Sequence, residues 1–318
     1  MSEKKVFDFG SDDANINPTP IINPVPNNEP PFSPPPPNAP MNTDFNDNAA
    51  LTVEEKEDPS RVIVEITDSA PIIIMFGAKT SGKTMTLVRL SRYLKGKGFI
   101  VDPIRTFRPS NSMHYQEMCD SFNSNIFSST APEGTAALSF MLVKVSNKYG
   151  DPICQILEAP GEHYFDPEKE NTFPPYIMQI VQNDNPKTWL FITELDWKDN
   201  ATRLKYAEKV KEMRNIINSS DKVILMCHKA DRKPSYYYKG SPDKRHFYRD
   251  IKQQYPAIFM GHETSGLKKL FTPYDMKFVV FSAGHFTEGK PQTYSPGNDK
   301  FPAELWRNIY KTVKGSWF

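Results

Sequence analysis

Cysteine is scarce, with only Cys119, Cys154 and Cys227 in 318 residues. Three scattered thiols are too few for a disulfide framework or a zinc-ligand set, so a hydrophobic core must hold the chain. A reducing, cytoplasmic setting is the expectation. Long apolar runs are missing as well. The longest strongly apolar stretch, Ile72–Phe76, falls far short of the ~20 residues that cross a bilayer. No apolar stretch follows Lys4 and Lys5, so no signal peptide is expected at the N-terminus. Net charge is nearly absent too, at +1 from 39 basic and 38 acidic residues. These shortages set aside a secreted scaffold, a membrane protein and a coiled coil.

The overall balance hides a division. Residues 1–58 hold three basic and eleven acidic residues, a net of −8, which leaves +9 over 59–318. Twelve of the 29 prolines lie in the first 60 residues, four of them in the run Pro34 to Pro37, with Asn and Asp filling much of the rest. Such a segment has little to bury against the entropy of ordering it. We therefore read 1–58 as a disordered, partly polyproline-II acidic tail. It serves either as a tether or as a partner-docking segment, with Val6, Phe7 and Phe9 as a short anchor. Residues 59–318 read as a single domain.

Within that domain, strand-like and helix-like patterns alternate. Ile72–Phe76 is a β-branched run ended by Gly77. Lys83–Lys95 places Leu87, Val88, Leu90 and Leu94 on one helical face, with Gly96 as a stop. Ala137–Val145 and Ile153–Leu157 read as strands joined by a turn at Lys148–Asp151, which makes them an antiparallel pair. Trp189–Thr193, Val223–Met226 and Phe278–Phe281 are further strands. Leu204, Ala207, Val210, Met213 and Ile216 repeat at helical spacing behind an Asp199 or Asn200 cap. Pro302 opens a last helix striped by Leu305, Trp306, Ile309 and Val313. This alternation implies a mostly parallel sheet of about six strands, one of them antiparallel, with helices on both faces. Ligands in such sheets bind at the carboxyl ends of the strands.

Gly77-Ala78-Lys79-Thr80-Ser81-Gly82-Lys83-Thr84 satisfies G-x-x-x-x-G-K-[ST] in full, with a strand before it and a helix after it. Glycine lets several backbone N–H groups turn into one concavity, and the helix start adds its positive dipole end. Lys83 is placed to contact β- and γ-phosphates, and Thr84 to ligate Mg²⁺. By itself the motif specifies a nucleoside phosphate.

Three later motifs follow in order, and with them residues 70–314 resemble the Ras-like, translation-factor-type (TRAFAC) P-loop GTPases. The resemblance implies a three-layer P-loop fold. It also implies a Mg²⁺-dependent GTP/GDP switch with GTPase activity, and slow hydrolysis because several motif positions differ. Glu158-Ala159-Pro160-Gly161 stands where the family has D-x-x-G, which implies Glu158 near the Mg²⁺ and Gly161 sensing the γ-phosphate. Glu162 falls where the family orients the attacking water, a position from which a carboxylate would act as a general base. Lys229 and Asp231 match N-K-x-D, the guanine-reading motif, with His228 in place of the Asn. Ser282-Ala283-Gly284 resembles the S-A-K loop that contacts guanine. Lys79, Thr80, Ser81 and Met85 complete the implied nucleotide contacts. A first switch is implied between Val101 and Thr135, about 35 residues read as a loop. Thr135 is the implied third Mg²⁺ ligand, with Thr130 and Thr106 as alternatives. Arg105 and Arg108 are either solvated loop arginines or an arginine finger in cis.

Two other readings of the site stand beside the switch. One is a pseudo-GTPase interaction module that binds nucleotide without turnover, and the other is a P-loop ATPase. Beyond the site, residues 232–249 carry six basic residues against Asp243, interleaved with Tyr236, Tyr237, Tyr238, Phe247 and Tyr248. The stretch reads as a solvated insertion or as a protein interface, and suits nucleic acid less well. A protein partner is expected at 101–136, at 232–249 or at the tail.

Overall fold

A computed structural model describes residues 52, 54–55, 58–78, 80–127, 140–159, 161, 173–195, 197, 199–260, 262–264, 266, 274–286 and 294–315. The anticipated tail over 1–51, together with Lys79, Thr130, Thr135 and Glu162, lies outside the described residues.

The first strand, β1 (Ile72–Phe76), is buried along its whole length. A strand with no polar face needs cover on both sides, the signature of a sheet sandwiched between helices. Helix α1 (Lys83–Gly96) follows, and its expected stripe of Leu87, Val88, Leu90 and Leu94 is buried.

Residues 101–127 are not the long loop that the sequence suggested. Strand β2 (Ile100–Pro103) opens the segment and helix α2 (Met113–Phe127) closes it. Tyr115, Met118, Cys119 and Phe122, spaced i, i+3, i+4, i+7, are all buried. Ser, Asn and His are weak helix formers, so intrinsic propensity pointed to a loop. Packing of this one face against α1 and β2 decides for the helix.

Strands β3 (Met141–Ser146) and β4 (Pro152–Glu158) form the expected antiparallel pair, with Met141 opposite Glu158. Their turn is held by the Asn147 side-chain oxygen, which accepts from the Tyr149 and Asp151 amides. Helix α3 (Pro175–Gln182) and strand β5 (Lys187–Glu194) come next. Helix α4 (Asn200–Glu212) is capped by Asp199, whose carboxylate accepts from the Ala201 and Thr202 amides. Its face differs from the expected stripe, because Leu204 is half exposed while Tyr206, Ala207 and Val210 are buried. Tyr206 stacks on Phe76 and donates its hydroxyl to the Phe76 carbonyl, which sets the rotation of the helix.

The chain then runs through β6 (Lys222–His228), the hairpin of β7 (Tyr237–Tyr238) and β8 (Ser241–Pro242), and helices α5 (Lys244–Gln254) and α6 (Pro256–Phe259). Strand β9 (Lys277–Val280), the two short strands β10 (His285–Phe286) and β11 (Tyr294–Ser295), and helix α7 (Lys300–Lys314) complete it.

The central sheet has seven strands in the order β2-β3-β4-β1-β5-β6-β9. Strand β3 runs antiparallel to both neighbours and every other pairing is parallel. The strand beyond the expected six is β2. Helix α1 packs with α2 and α7, and α4 packs with α6, giving a three-layer α/β fold. Among the described residues no helix is long and apolar enough to cross a membrane.

Charges expected to be free are largely engaged. Within the anticipated tail, Thr52 and Glu55 cap each other reciprocally. Glu55 also pairs with Arg108, which is only 4 % exposed and lies over the Phe140 ring. Arg108 is therefore a buried structural residue rather than a solvated one. Arg105 pairs with Asp120 on α2. In the basic–aromatic stretch, Phe247 is fully buried, Lys244 pairs with Glu304 at 2.6 Å and Arg249 with Asp250 at 2.9 Å. Tyr238 remains exposed.

Candidate functional site

Gly77 to Thr84 leave the carboxyl end of β1 and enter α1 directly. The loop needs unusual backbone. Gly82 has φ +93° and Thr80 φ +63°, and a β-branched residue in the left-handed region is a strained exception of the kind found at functional sites. Gly82 also has no room for a side chain, since an added Cβ would lie 2.5 Å from the His228 ring. Lys83 curls back over the loop and donates Nζ to the Gly77 and Ala78 carbonyls, each at 2.9 Å. Ser81, Lys83, Thr84 and Met85 are all buried.

Glu158 is the last residue of β4, opposite Met75 on the adjacent β1, two positions before the loop begins. This parallel register brings it to Thr84. The Thr84 hydroxyl donates to Glu158 Oε1 at 3.0 Å, and the Phe140 amide donates to Oε2 at 3.1 Å. Phe140 has φ +58°, a strained conformation that aims its N–H at the carboxylate. Glu158 is 1 % exposed, so its hydrogen bonds offset the cost of burying its charge. A hydroxyl beside a carboxylate, both hard oxygen donors, fits Mg²⁺ shared with phosphate oxygens. Thr84 and Glu158 would hold such an ion. Gly161 is buried nearby in sequence, whereas Glu162 and Thr135 fall outside the described residues.

The residues that match the guanine-reading motifs converge from the ends of two neighbouring strands. Lys229 follows β6 with φ +55°, and its ammonium lies 2.5 Å from Glu194 Oε2 at the end of β5. Asp231 accepts the Ser282 hydroxyl at 2.6 Å on Oδ1, leaving Oδ2 for a ligand. The Ala230 amide donates to the Phe281 carbonyl at 3.1 Å, which fastens the loop after β6 to the one after β9. Ser282 and Ala283 are both buried there.

His228 joins the two halves. Its ring packs beneath Gly82 and lies 5.5 Å from the Phe281 ring. Neither ring nitrogen has a hydrogen-bond partner. Burial, reinforced by Lys229 and Arg232, pushes its pKa down to about 3, so the ring is neutral at physiological pH. Where the resembled motif has an amide that braces the loops through polar bonds, this chain braces them by contact.

Two site residues were not foreseen. Glu194, which is buried, could have been noticed as the single charge ending an apolar strand. Phe140 acts through its backbone N–H, and no side-chain pattern announces that.

A cavity of about 270 Å³ lies beside the loops that follow β6 and β9. It is lined by Asp231 and Ser282, by Tyr237 and Gly240 of the β7–β8 hairpin, and by Gly297 and Phe301 at the start of α7.

No model of a protein family and no curated protein matches the chain. Solved structures of similar layout include a nucleolar GTP-binding protein 1 of Plasmodium falciparum. It is 16 % identical over 69 % of this chain and 80 % of its own, with a TM-score of 0.36. Another, of the chloroplast translocon components atToc33 and psToc159, is 11 % identical over 78 % and 84 %, with a TM-score of 0.42. A third is the GTPase-like domain of S. cerevisiae Ski7 bound to GTP, 13 % identical over 79 % of this chain and 52 % of its own, with a TM-score of 0.37. These scores are too low to place the chain in any one of those families. The sheet order, the loop between β1 and α1, and the carboxylate ending β4 are features of this chain itself, and together they give it a three-layer α/β P-loop fold.

Proposed function

We propose that the chain binds guanine nucleotides with Mg²⁺ and works as a nucleotide-dependent switch with slow GTP hydrolysis. The observation that carries this reading is the convergence at one end of the sheet. The Lys83–Thr84 phosphate loop, Glu158 on Thr84, and the Asp231–Ser282 pair all sit at neighbouring strand ends. Loop amides and Lys83 neutralise the phosphates, and Asp231 offers the acceptor that guanine's N–H edge requires. A bound Mg²⁺ would supply charge stabilisation at the phosphates, held by Thr84 and Glu158. The Gly161 turn would sense the γ-phosphate, and Glu162 would orient or deprotonate the attacking water.

A pseudo-GTPase remains the second reading, favoured by one observation. Glu158 is locked between Thr84 and the Phe140 amide, a longer carboxylate than the resembled motif uses. Protein partners, a cytoplasmic location and a tail acting as tether or docking segment belong to the same proposal.

The test is competition binding of GTP, GDP and ATP, with and without Mg²⁺, to wild type and Lys83→Ala. Guanine preference in wild type, and nucleotide affinity that falls about a hundredfold in Lys83→Ala, are the expected results, because a charge-assisted phosphate contact is lost in the variant. ATP preference, or no binding by wild type, would overturn the reading. Turnover measured on the same samples separates the switch from the pseudo-enzyme.

A further inference from the structure

The cavity beside Asp231 and Ser282 is completed by residues 297–301, which follow the β10–β11 strands. Ser295, Gly297, Asn298 and Asp299 are exposed, and beyond the β10–β11 pairing the 294–299 segment is held by side-chain contacts. Arg89 of α1, itself 3 % exposed, donates to the Asp299 carboxylate at 2.6 Å and to the Gly297 carbonyl at 3.3 Å. Arg92, one turn on, lies over the Tyr294 ring with 4.8 Å to its centroid. The buried Tyr294 hydroxyl donates to the Ala283 carbonyl, in the loop that carries Ser282. The backbone is drawn tight as a result. Gly284 has φ +119°, and a Cβ there would lie 2.2 Å from the Ser295 carbonyl oxygen.

Resting on the nucleotide reading above, we propose that Arg89 is a positioning residue for the base. It latches the 294–299 segment onto the phosphate-loop helix and so shapes the pocket that Asp231 and Ser282 open into. Arg89 is not among the residues that line the cavity. It lies on the same helix as Lys83 and Thr84, so a shift of that helix on phosphate binding is transmitted through one guanidinium to the base pocket. Both bonds leave one guanidinium nitrogen, Nη2, and the planar, permanently charged group holds that nitrogen in a fixed direction, whereas a lysine ammonium sits on a more flexible stem.

The experiment compares GDP with inorganic pyrophosphate, each with Mg²⁺, in equilibrium binding to the full chain. The proteins are wild type, Arg89→Met, Arg89→Lys and Asp299→Asn. The expected result is a loss of GDP affinity of about tenfold in Arg89→Met, the effect of a removed charge-assisted bond, with pyrophosphate affinity unchanged. Arg89→Lys falls between wild type and Arg89→Met. Asp299 has an exposed side chain, so Asp299→Asn tests the latch without disturbing the core. It should lose GDP affinity in the same direction. Equal losses for both ligands would overturn the proposal, because the damage would then be to the helix. Unchanged GDP affinity in all three variants would overturn it too. If wild type binds pyrophosphate but gains nothing from the base, the latch alone falls. If wild type binds neither ligand, the nucleotide reading falls and takes the latch with it.

Discussion

Eight consecutive residues, Gly77 to Thr84, supply the proposed phosphate half of the site, whereas the proposed base half is gathered from distant parts of the chain. Lys229 and Asp231 come from the end of β6, Ser282 and Ala283 from the end of β9, and Arg89 and Tyr294 hold the segment beyond. The phosphate half uses backbone, so its demands appear as glycines at fixed spacing. The base half uses side chains whose partners lie far apart in sequence, and its demands appear only when the sheet is assembled. A local device tolerates little change within it, while a dispersed one can substitute a part, as His228 does for an amide.

The sharpest way to break this comparison is at the point where the halves touch. Gly82→Ala would force a Cβ into a left-handed position 2.5 Å from the His228 ring. A destabilisation of about 2–3 kcal/mol is expected from strain and overpacking together. Denaturant unfolding measures it. Adding His228→Ala should recover the packing part and leave the backbone part, so the two changes should be clearly non-additive.

A smaller effect separates ion from phosphate. In Glu158→Gln the phosphate loop stays whole but the carboxylate beside Thr84 is lost. The Mg²⁺ enhancement of nucleotide affinity should fall about tenfold, with Mg²⁺-free affinity unchanged. Titrating nucleotide with and without the ion reads both quantities, and an equal loss in each would show that Glu158 serves the loop's structure alone.

A third prediction concerns pH. Burial holds the folded His228 pKa at about 3, while an unfolded histidine titrates near 6.5. Between those values the unfolded chain binds a proton that the folded chain refuses. Stability is therefore complete above about pH 6.5 and declines as pH falls toward 3, with a limiting slope of about 1.4 kcal/mol per pH unit from this group. His228→Asn should remove that slope. Unfolding free energies of both proteins at pH 7 and pH 5 provide the check, and parallel pH curves would contradict the buried neutral ring.

Much of the frame was legible beforehand. Strand β1 has the expected bounds, and the β3–β4 pair, α1 and α7 fall close to their expected places, because alternation and helical periodicity report burial directly. Helix α2 was not legible. Its Ser, Asn and His residues favour no helix alone, and its four buried side chains gain their energy only from partners elsewhere in the chain. Leu204 failed as a core residue for a similar reason, since the Tyr206–Phe76 stack set the helix face. Arg108 looked like a loop cation until Glu55, more than fifty positions earlier, proved to be its partner.

The sequence by itself determined that a glycine-framed loop of the phosphate-binding pattern stands between a buried strand and a helix. That requirement is local, made of backbone angles that glycine permits and a dipole that any helix start provides. Only the tertiary structure decided what faces the loop. The β1–β4 register put Glu158 on Thr84, the β5–β6 register put Glu194 beside Lys229, and Arg89 reached across to Asp299. Such pairings depend on which strand ends and helix faces become neighbours, and neighbourhood is set by burying the whole core at once.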